Sequence, residues 1–434
     1  MPTPTTATAP QIPTTIETPD LILEEAGSDT LQTSKEVADN SEGHSWNPWL
    51  IVVGTWLVQF CTYGYVSAFG VYQDYYAREF LSNKTPSQIS WIGSVQLFLQ
   101  YALGVVVGRI YDIGCFHHLI GIGTILQTVS LFMLSLTRRD HYPEVFLAQA
   151  VGMGLGQAML FLPSISVVSH HFKSHRAMAT GVAVSGASVG GIVWPILLNQ
   201  ISQKLDFPNA IRVTAAIIGA FLLIANSLYS VACSRPKGLM EIDHLMDTVR
   251  SAFCINLGLF FPYFYLQSYA LSKGIRTALA FYLLAILNAG SVFGRLLPNF
   301  LADKFGTYNM LLPSLYISSG LVFALFGIND FAGLTIFAIL YGFWSGSYVS
   351  LIPSLLAQLG THPGELGIRM GIAFSIVAVS LLAGTPIEGL LLRMQNGELE
   401  WSGSIIFCGV HHDCLWLSGD DYLAIFVHSK SSDI

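Results

Sequence analysis

From Trp49 onward the hydrophobic positions fall into long runs separated by short polar breaks. A helix needs about 20 mostly apolar residues to cross the hydrocarbon core of a bilayer. Runs of that order cover 49–75, 89–111, 117–136, 144–168, 177–199 and 211–232, then 251–271, 277–298, 308–328, 331–358 and 370–392. A twelfth run, 401–427, begins as an apolar helix and is then interrupted by His411, His412 and Asp413 and by Asp420 and Asp421. Each such charge near the middle of a span costs about 2.5–3.5 kcal/mol on insertion scales. The pattern predicts an all-α integral membrane bundle of twelve helices, or eleven if the last run does not span.

Two of these runs are relatives of one another. Ser90 to Gly114 and Phe281 to Gly306 each carry a Gly-Arg pair near the end, then an Asp, then a Gly, and Asp112 and Asp303 lie 191 residues apart. The same spacing recurs elsewhere. Pro163-Ser164 pairs with Pro353-Ser354 at 190, Gly181, Ala183 and Ser185 with Gly371, Ala373 and Ser375 at 190, and Pro195 with Pro386 at 191. One offset shared by three helix pairs implies duplication: six helices followed by six in parallel repeat.

Composition agrees with the bilayer as solvent. Charged residues make up 11% of the chain, against roughly 25% in soluble proteins, and the mean hydropathy is +0.55. The net charge of −7 is misleading, because eight acids from Glu17 to Glu42 crowd the first 45 residues against Lys35 alone. That stretch cannot bury enough apolar surface to offset its ordering entropy. The expected organisation is an acidic, disordered cytosolic tail (1–45), an N-terminal half (46–234), a central cytosolic loop (235–250), a C-terminal half (251–427) and a short tail (428–434). Lys and Arg counted by loop give no clear positive-inside excess.

No basic stripe points to nucleic acid. The six cysteines are scattered through apolar runs, unlike a disulfide framework. His411-His412-Asp413-Cys414 has ligand types in a row, but no second cluster completes a metal site. No GxxxxGK[ST] loop for ATP occurs. Neither an enzyme, a metal nor a cofactor is therefore expected. Asn83-Lys84-Thr85 is a glycosylation sequon in the first loop, consistent with that loop being external.

Candidate chemistry lies in few residues. The repeated turns (Gly108, Arg109, Asp112 and Gly114; Asp303 and Gly306) combine a glycine able to end a helix with an acid able to face an opposing helix N-terminus or an arginine. They read either as a gate between the halves or as plain helix ends with solvated acids. Arg295 lies within an apolar run, where a charge is costly and usually faces a partner or a wet cavity. It is a candidate to grip a carboxylate with two hydrogen bonds; the alternative is a structural arginine that pairs with Asp303 or snorkels to the interface. Asn288, two helical turns earlier, shares its face. Glu388, an acid in the eleventh run, is either a proton carrier or an acid near a helix end that reaches water. Gly181, Gly186, Gly190 and Gly191 are expected to form one smooth packing face, or a hinge.

Gly108-Arg109-Ile110-Tyr111-Asp112-Ile113-Gly114 resembles the loop 2–3 signature of the major facilitator superfamily, and Leu301-Ala302-Asp303-Lys304-Phe305-Gly306 its copy in loop 8–9. More narrowly, the chain resembles the fungal branch of the monocarboxylate porter family between about Trp49 and Trp401. The resemblance is carried by Phe69–Tyr76 (FGVYQDYY), Ile89–Ser94 (ISWIGS), Phe161–Ser166 (FLPSIS), Ala179–Gly186 (ATGVAVSG) and Leu287–Arg295 (LNAGSVFGR). It implies small monocarboxylate substrates and, in animal members, proton coupling. Animal members carry an Asp four residues before the arginine, where this chain has Ser291, and a lysine late in the first helix, where it has Tyr65-Val66-Ser67. The residues associated with proton-linked lactate transport are thus only partly present.

The reading that follows is a multi-pass cell-membrane transporter of the secondary type, working by alternating access on a small organic anion such as a monocarboxylate or acidic metabolite. Arg295, Asn288, Ser291 and Glu388 are the expected substrate residues, and protons the candidate co-substrate. Efflux and nutrient uptake both fit, as does a transporter-like sensor that binds without moving its ligand.

Overall fold

The structure, a computed structural model, describes residues 48–172, 175–232, 245–358, 365–395 and 398–412. Among these, eleven helices are long and apolar enough to cross a membrane: α1 (Trp49–Val66), α2 (Gln88–Asp112), α3 (Phe116–Leu134), α4 (Tyr142–His171), α5 (Arg176–Ser202), α6 (Phe207–Ser230), α7 (Val249–Ser272), α8 (Thr277–Phe305), α9 (Thr307–Gly327), α10 (Phe331–Gln358) and α11 (Leu366–Leu391). A small hairpin, β1 (Arg393–Gln395) with β2 (Glu398–Glu400), leads into a shorter helix, α12 (Ser402–His412). The chain is an all-α, multi-pass membrane protein. The expected tails 1–45 and 428–434 and the stretch 413–427 lie outside the described residues. So does 235–244 of the expected central loop, whereas Leu245 already begins a helix.

The bundle is inverted relative to a water-soluble protein. Ile125, Leu223 and Leu390 are exposed, while Gln59, Gln96, Gln127 and Gln157 are buried. Some of these buried polar groups partner one another: Gln96 Nε2 donates to Gln157 Oε1 at 3.1 Å, and the Tyr76 hydroxyl to Gln149 Oε1 at 2.6 Å. Lipid offers no hydrogen bonds, so such groups must be satisfied within the protein.

Three predicted runs are shaped differently from a plain helix. The first breaks at Thr62, whose hydroxyl donates to the Val58 carbonyl at 2.7 Å, and resumes as Tyr63–Val66 and Phe69–Tyr75. The second is interrupted at Leu103, between Pro86–Ala102 and Gly104–Asp112. There Ser375 of α11 takes over the backbone bonding: its Oγ donates to the Ala102 carbonyl at 2.9 Å and accepts from the Val105 N–H at 3.2 Å. The eighth, predicted to end at 298, continues through Pro298 to Phe305. The Asn299 side chain donates to the Arg295 carbonyl at 2.8 Å in the same turn.

Two seams join the halves: α5 packs along α8, and α2 along α11. Helices in lipid associate through close packing, because burying apolar surface gains little there. Small residues set the approach. A Cβ on Gly181 would overlap the Arg295 carbonyl and one on Gly186 the Trp56 carbonyl, while Gly190 faces Phe60 and Gly191 faces Asn288. The four glycines of α5 therefore serve two faces, toward α8 and toward α1, instead of the single face expected. Within the C-terminal half, α8 and α10 interlace in the same way: Gly294 lies on the Phe343 carbonyl and Gly342 on the Leu287 carbonyl. Overpacking typically costs about 1–3 kcal/mol, so Gly294→Val is expected to lower the melting temperature of the purified protein, as read by scanning fluorimetry.

Candidate functional site

The C-terminal ends of α2 and α8 and the N-terminal ends of α5 and α11 meet at one end of the bundle. Asp112 closes α2, and Gly114 follows with φ of 96°. Asp303 lies in the last turn of α8, and Gly306 ends that helix with φ of 92°. Only glycine enters this backbone region without strain. Each carboxylate then crosses to the other half. The Gly367 N–H donates to Asp112 Oδ1 at 2.9 Å and the Ile368 N–H to Oδ2 at 2.7 Å. The Ala177 N–H donates to Asp303 Oδ1 and the Met178 N–H to Oδ2, both at 2.9 Å. In both cases the donors are the second and third residues of the receiving helix. A helix start has free N–H groups and a positive dipole end, so a carboxylate there is stabilised twice over.

These interlocks are reinforced nearby. Arg176, the first residue of α5, donates from Nη1 to the Ala357 carbonyl of α10 at 2.9 Å and from Nε to the Phe172 carbonyl at 3.1 Å. Arg369 bridges Glu365 at 2.8 Å, both buried, at the start of α11. Gly108 permits the close contact of α2 with α11, since a Cβ there would overlap the Gly367 carbonyl oxygen. Arg109 is exposed.

Toward the opposite end the halves part. A recess of about 790 Å³, its open mouth included, is lined by Tyr63, Ser67, Phe69 and Gln73 from the first segment and by Phe260, Tyr263, Phe264 and Gln267 from α7. Its walls are aromatic and apolar, with two glutamines and a serine for hydrogen bonding. Tyr63 and Tyr263 of this lining, together with Tyr101, lie within electrostatic reach of the Arg295 guanidinium.

Arg295 is 2% exposed. It neither pairs with Asp303, which is committed to α5, nor snorkels to an interface. Its Nη1 donates to the Val184 carbonyl of α5 at 2.8 Å and its Nε to Ser291 Oγ at 3.3 Å. These use two of the five N–H groups of a guanidinium. No carboxylate pairs with it among the described residues. A buried, unpaired cation is costly, and here only carbonyl and hydroxyl dipoles offset that cost.

The predicted substrate residues separate into two places. Ser291 joins Arg295 and also accepts from Ser188 Oγ at 3.0 Å across the α5–α8 seam. Asn288 shares the face but packs against Gly191 and donates to the Leu284 carbonyl at 2.9 Å, so it serves the seam. Glu388 sits near the end of α11, among Tyr265, Tyr341 and Cys408. Asn83 is exposed in the turn before α2, at the end where the recess opens. Its sequon threonine caps α2, Thr85 Oγ1 accepting from the Gln88 N–H at 3.3 Å.

Tyr63, Tyr101, Tyr263 and Phe374 were not singled out from sequence, and Phe161 entered only as the first residue of the FLPSIS motif. Tyr101 and Phe161 meet Phe374 of the other half at 5.6 and 5.5 Å between ring centroids, forming an aromatic layer across the halves. Aromatic residues are common in apolar runs and here follow no period, so their place in this layer is not marked in the chain.

Comparison with known proteins adds three findings. A family model for the Major Facilitator Superfamily matches residues 55–385. The Aspyridones efflux protein apdF of Emericella nidulans is 37% identical over 360 residues, covering 81% of this chain and 73% of the relative. The Agnestins efflux protein AgnL12 of Paecilomyces divaricatus is 36% identical over 371 residues, covering 83% and 85%. Among solved structures, the human organic anion transporter MFSD10 (TETRAN) and the transporter FucP in the outward conformation each superpose with a TM-score of 0.64 at 14% identity, covering 85% of this chain and 97% of theirs. At that identity the likeness concerns the fold alone.

Proposed function

Because this chain belongs to the Major Facilitator Superfamily, whose members move small molecules across membranes, we propose that it exports a small organic acid by alternating access. The observation that carries the reading is Arg295: a buried guanidinium with three N–H groups uncommitted and no carboxylate partner among the described residues, in electrostatic reach of Tyr63 and Tyr263 of the recess wall. A carboxylate entering there gains charge-assisted bonds, and the aromatic walls suit a lipophilic body. Relatives named for the efflux of aspyridones and agnestins support export of an acidic secondary metabolite. The monocarboxylate-porter motifs favour the same carboxylate chemistry. With the N-terminal tail cytosolic, the interlocked end faces the cytosol and the recess opens outward. Release of the two interlocks then exposes Arg295 to the cytosol for loading.

Efflux of labelled benzoate and labelled lactate from cells expressing the protein tests this reading. A hydrogen bond to a charged group is worth about 1.5–3 kcal/mol. Arg295→Ala is accordingly expected to lower efflux of a transported acid tenfold or more at unchanged surface expression. Arg295→Lys, which keeps the charge but not the fork, is expected to fall between. Undiminished carboxylate efflux by Arg295→Ala would remove this residue from the site.

A further inference from the structure

Glu388 is three residues from the end of α11 and 1% exposed, and neither of its carboxylate oxygens has a hydrogen-bond partner among the described residues. Its backbone is engaged, the carbonyl accepting from Ser404 Oγ of α12 at 2.8 Å. The titratable groups that face the side chain are Tyr265 from α7, Tyr341 from α10 and Cys408 from α12. All three are neutral at physiological pH. Two already donate elsewhere, Tyr341 to the Leu259 carbonyl at 2.7 Å and Cys408 to the Gly258 carbonyl at 2.7 Å.

The contrast with Asp112 and Asp303 is instructive. Those carboxylates each take two N–H donors at a positive helix end, and so are stabilised as anions. Among the described residues Glu388 has neither donor nor cation. An unpaired buried carboxylate is far more costly than the neutral acid, so in this conformation the side chain carries a proton. The two oxygens of a lone carboxylate and its two phenolic neighbours do not supply the six or more oxygens that a hard metal cation takes. The ligand chemistry that fits is H⁺.

Position gives this proton a mechanical meaning. The first turn of α11 donates to Asp112 at Gly367 and Ile368, and its last turn carries Glu388. About 20 residues of one continuous helix separate them, roughly 30 Å at 1.5 Å per residue. Ionisation of Glu388 would drive that end of α11 away from α7 and α12, toward water, and tilt the other end off Asp112.

We propose that Glu388 is a proton-binding site of the C-terminal half, separate from the Arg295 site, that is loaded while the interlocks are closed and discharged as α11 moves to open them. The proposal rests on the alternating-access reading for its role in a cycle, but its test needs no substrate. Full-length wild type and Glu388→Gln are reconstituted in lipid nanodiscs and their melting temperatures followed from pH 5.5 to 8.5. Because the folded state holds a proton that the unfolded state releases, wild-type stability is highest at low pH and declines as pH rises. Glutamine has the same shape and no proton to lose. The melting temperature of the variant is expected to exceed that of wild type by a margin that grows with pH from 5.5 and reaches about 3 °C or more at pH 8.5. Parallel curves would overturn the site.

Hydrogen exchange of the Gly367 and Ile368 amides at pH 8.5 tests the link to the interlock. Exchange is expected to be several-fold slower in Glu388→Gln than in wild type, and equal rates would overturn the link. Neither readout involves Arg295 or transport, so failure of the anion reading and failure of this one are told apart.

Discussion

Asp112→Asn combined with Asp303→Asn is expected to lower efflux at least tenfold while leaving expression and folding intact. Each aspartate accepts two N–H bonds at 2.7–2.9 Å from the start of a helix in the opposite half. Asparagine keeps one acceptor and turns an amide donor toward an N–H, so each site loses its charge and half of its bonding. Hydrogen bonds to charged groups contribute about 1.5–3 kcal/mol, so the pair loses roughly 3 kcal/mol or more. At 1.4 kcal/mol per factor of ten, the closed state loses on the order of a hundredfold in population. A transporter that cannot close one end leaks its gradient or stalls with its site facing one side. The helices themselves do not depend on these bonds, which is why the loss is conformational. Efflux and surface expression measured together check this.

Gly108→Val is expected to reproduce that loss through shape, with both aspartates intact. At Gly108 the neighbouring atom is the Gly367 carbonyl oxygen, a backbone atom that cannot rotate aside, and Gly367 in turn lies against the Gly108 carbonyl. Gly104 and Gly371 make the same kind of contact one turn away. Any side chain at Gly108 therefore moves α2 from α11 as whole helices and carries Asp112 away from the N–H groups that it caps. Gly121 is the useful control. It lies in α3 with nothing within 4 Å of where a Cβ would stand, so Gly121→Val is expected to transport normally. Equal efflux by Gly108→Val and Gly121→Val would refute the close-contact argument.

The interlocks show what was legible in the chain and what was not. A turn of acid and glycine at the end of an apolar run, present twice at one offset, identified Asp112 and Asp303 and raised the possibility of an opposing helix start. The partners carry no side-chain signature, because they are backbone N–H groups. Even so, Ala177 and Gly367, like Met178 and Ile368, are themselves 190 residues apart, so the repeat contains both sides of each contact. Arg295 was legible as a charge in an apolar run. Its surroundings were not, because Tyr63, Tyr101 and Tyr263 come from three helices and meet only in the packed bundle. Asn288 and Arg295 share a helical face, as their spacing demands, yet Asn288 packs against Gly191 of α5.

Local breaks were the hardest to read. Thr62 and Leu103 lie inside apolar runs that hydropathy reads as continuous. At the first a hydroxyl of the same helix bonds back to Val58, a local contact, and at the second the partner is tertiary, Ser375 from the other half. Hydropathy records which residues tolerate lipid, and says nothing of which carbonyl a neighbouring hydroxyl will reach. The glycines of α5 show the same limit. Their number announced close packing, but only the positions of α1 and α8 divide them between two faces.

The central claim is that two carboxylate-to-helix contacts hold one end of the bundle shut. Spin labels at Ile113→Cys and Phe305→Cys, both exposed and each beside one of the aspartates, report the separation of the halves at that end in a cysteine-free background. Pulsed EPR is expected to give a short, narrow distance distribution for the otherwise wild-type protein, and an added longer population when Asp112→Asn and Asp303→Asn are introduced. Identical distributions in the two proteins would contradict the claim.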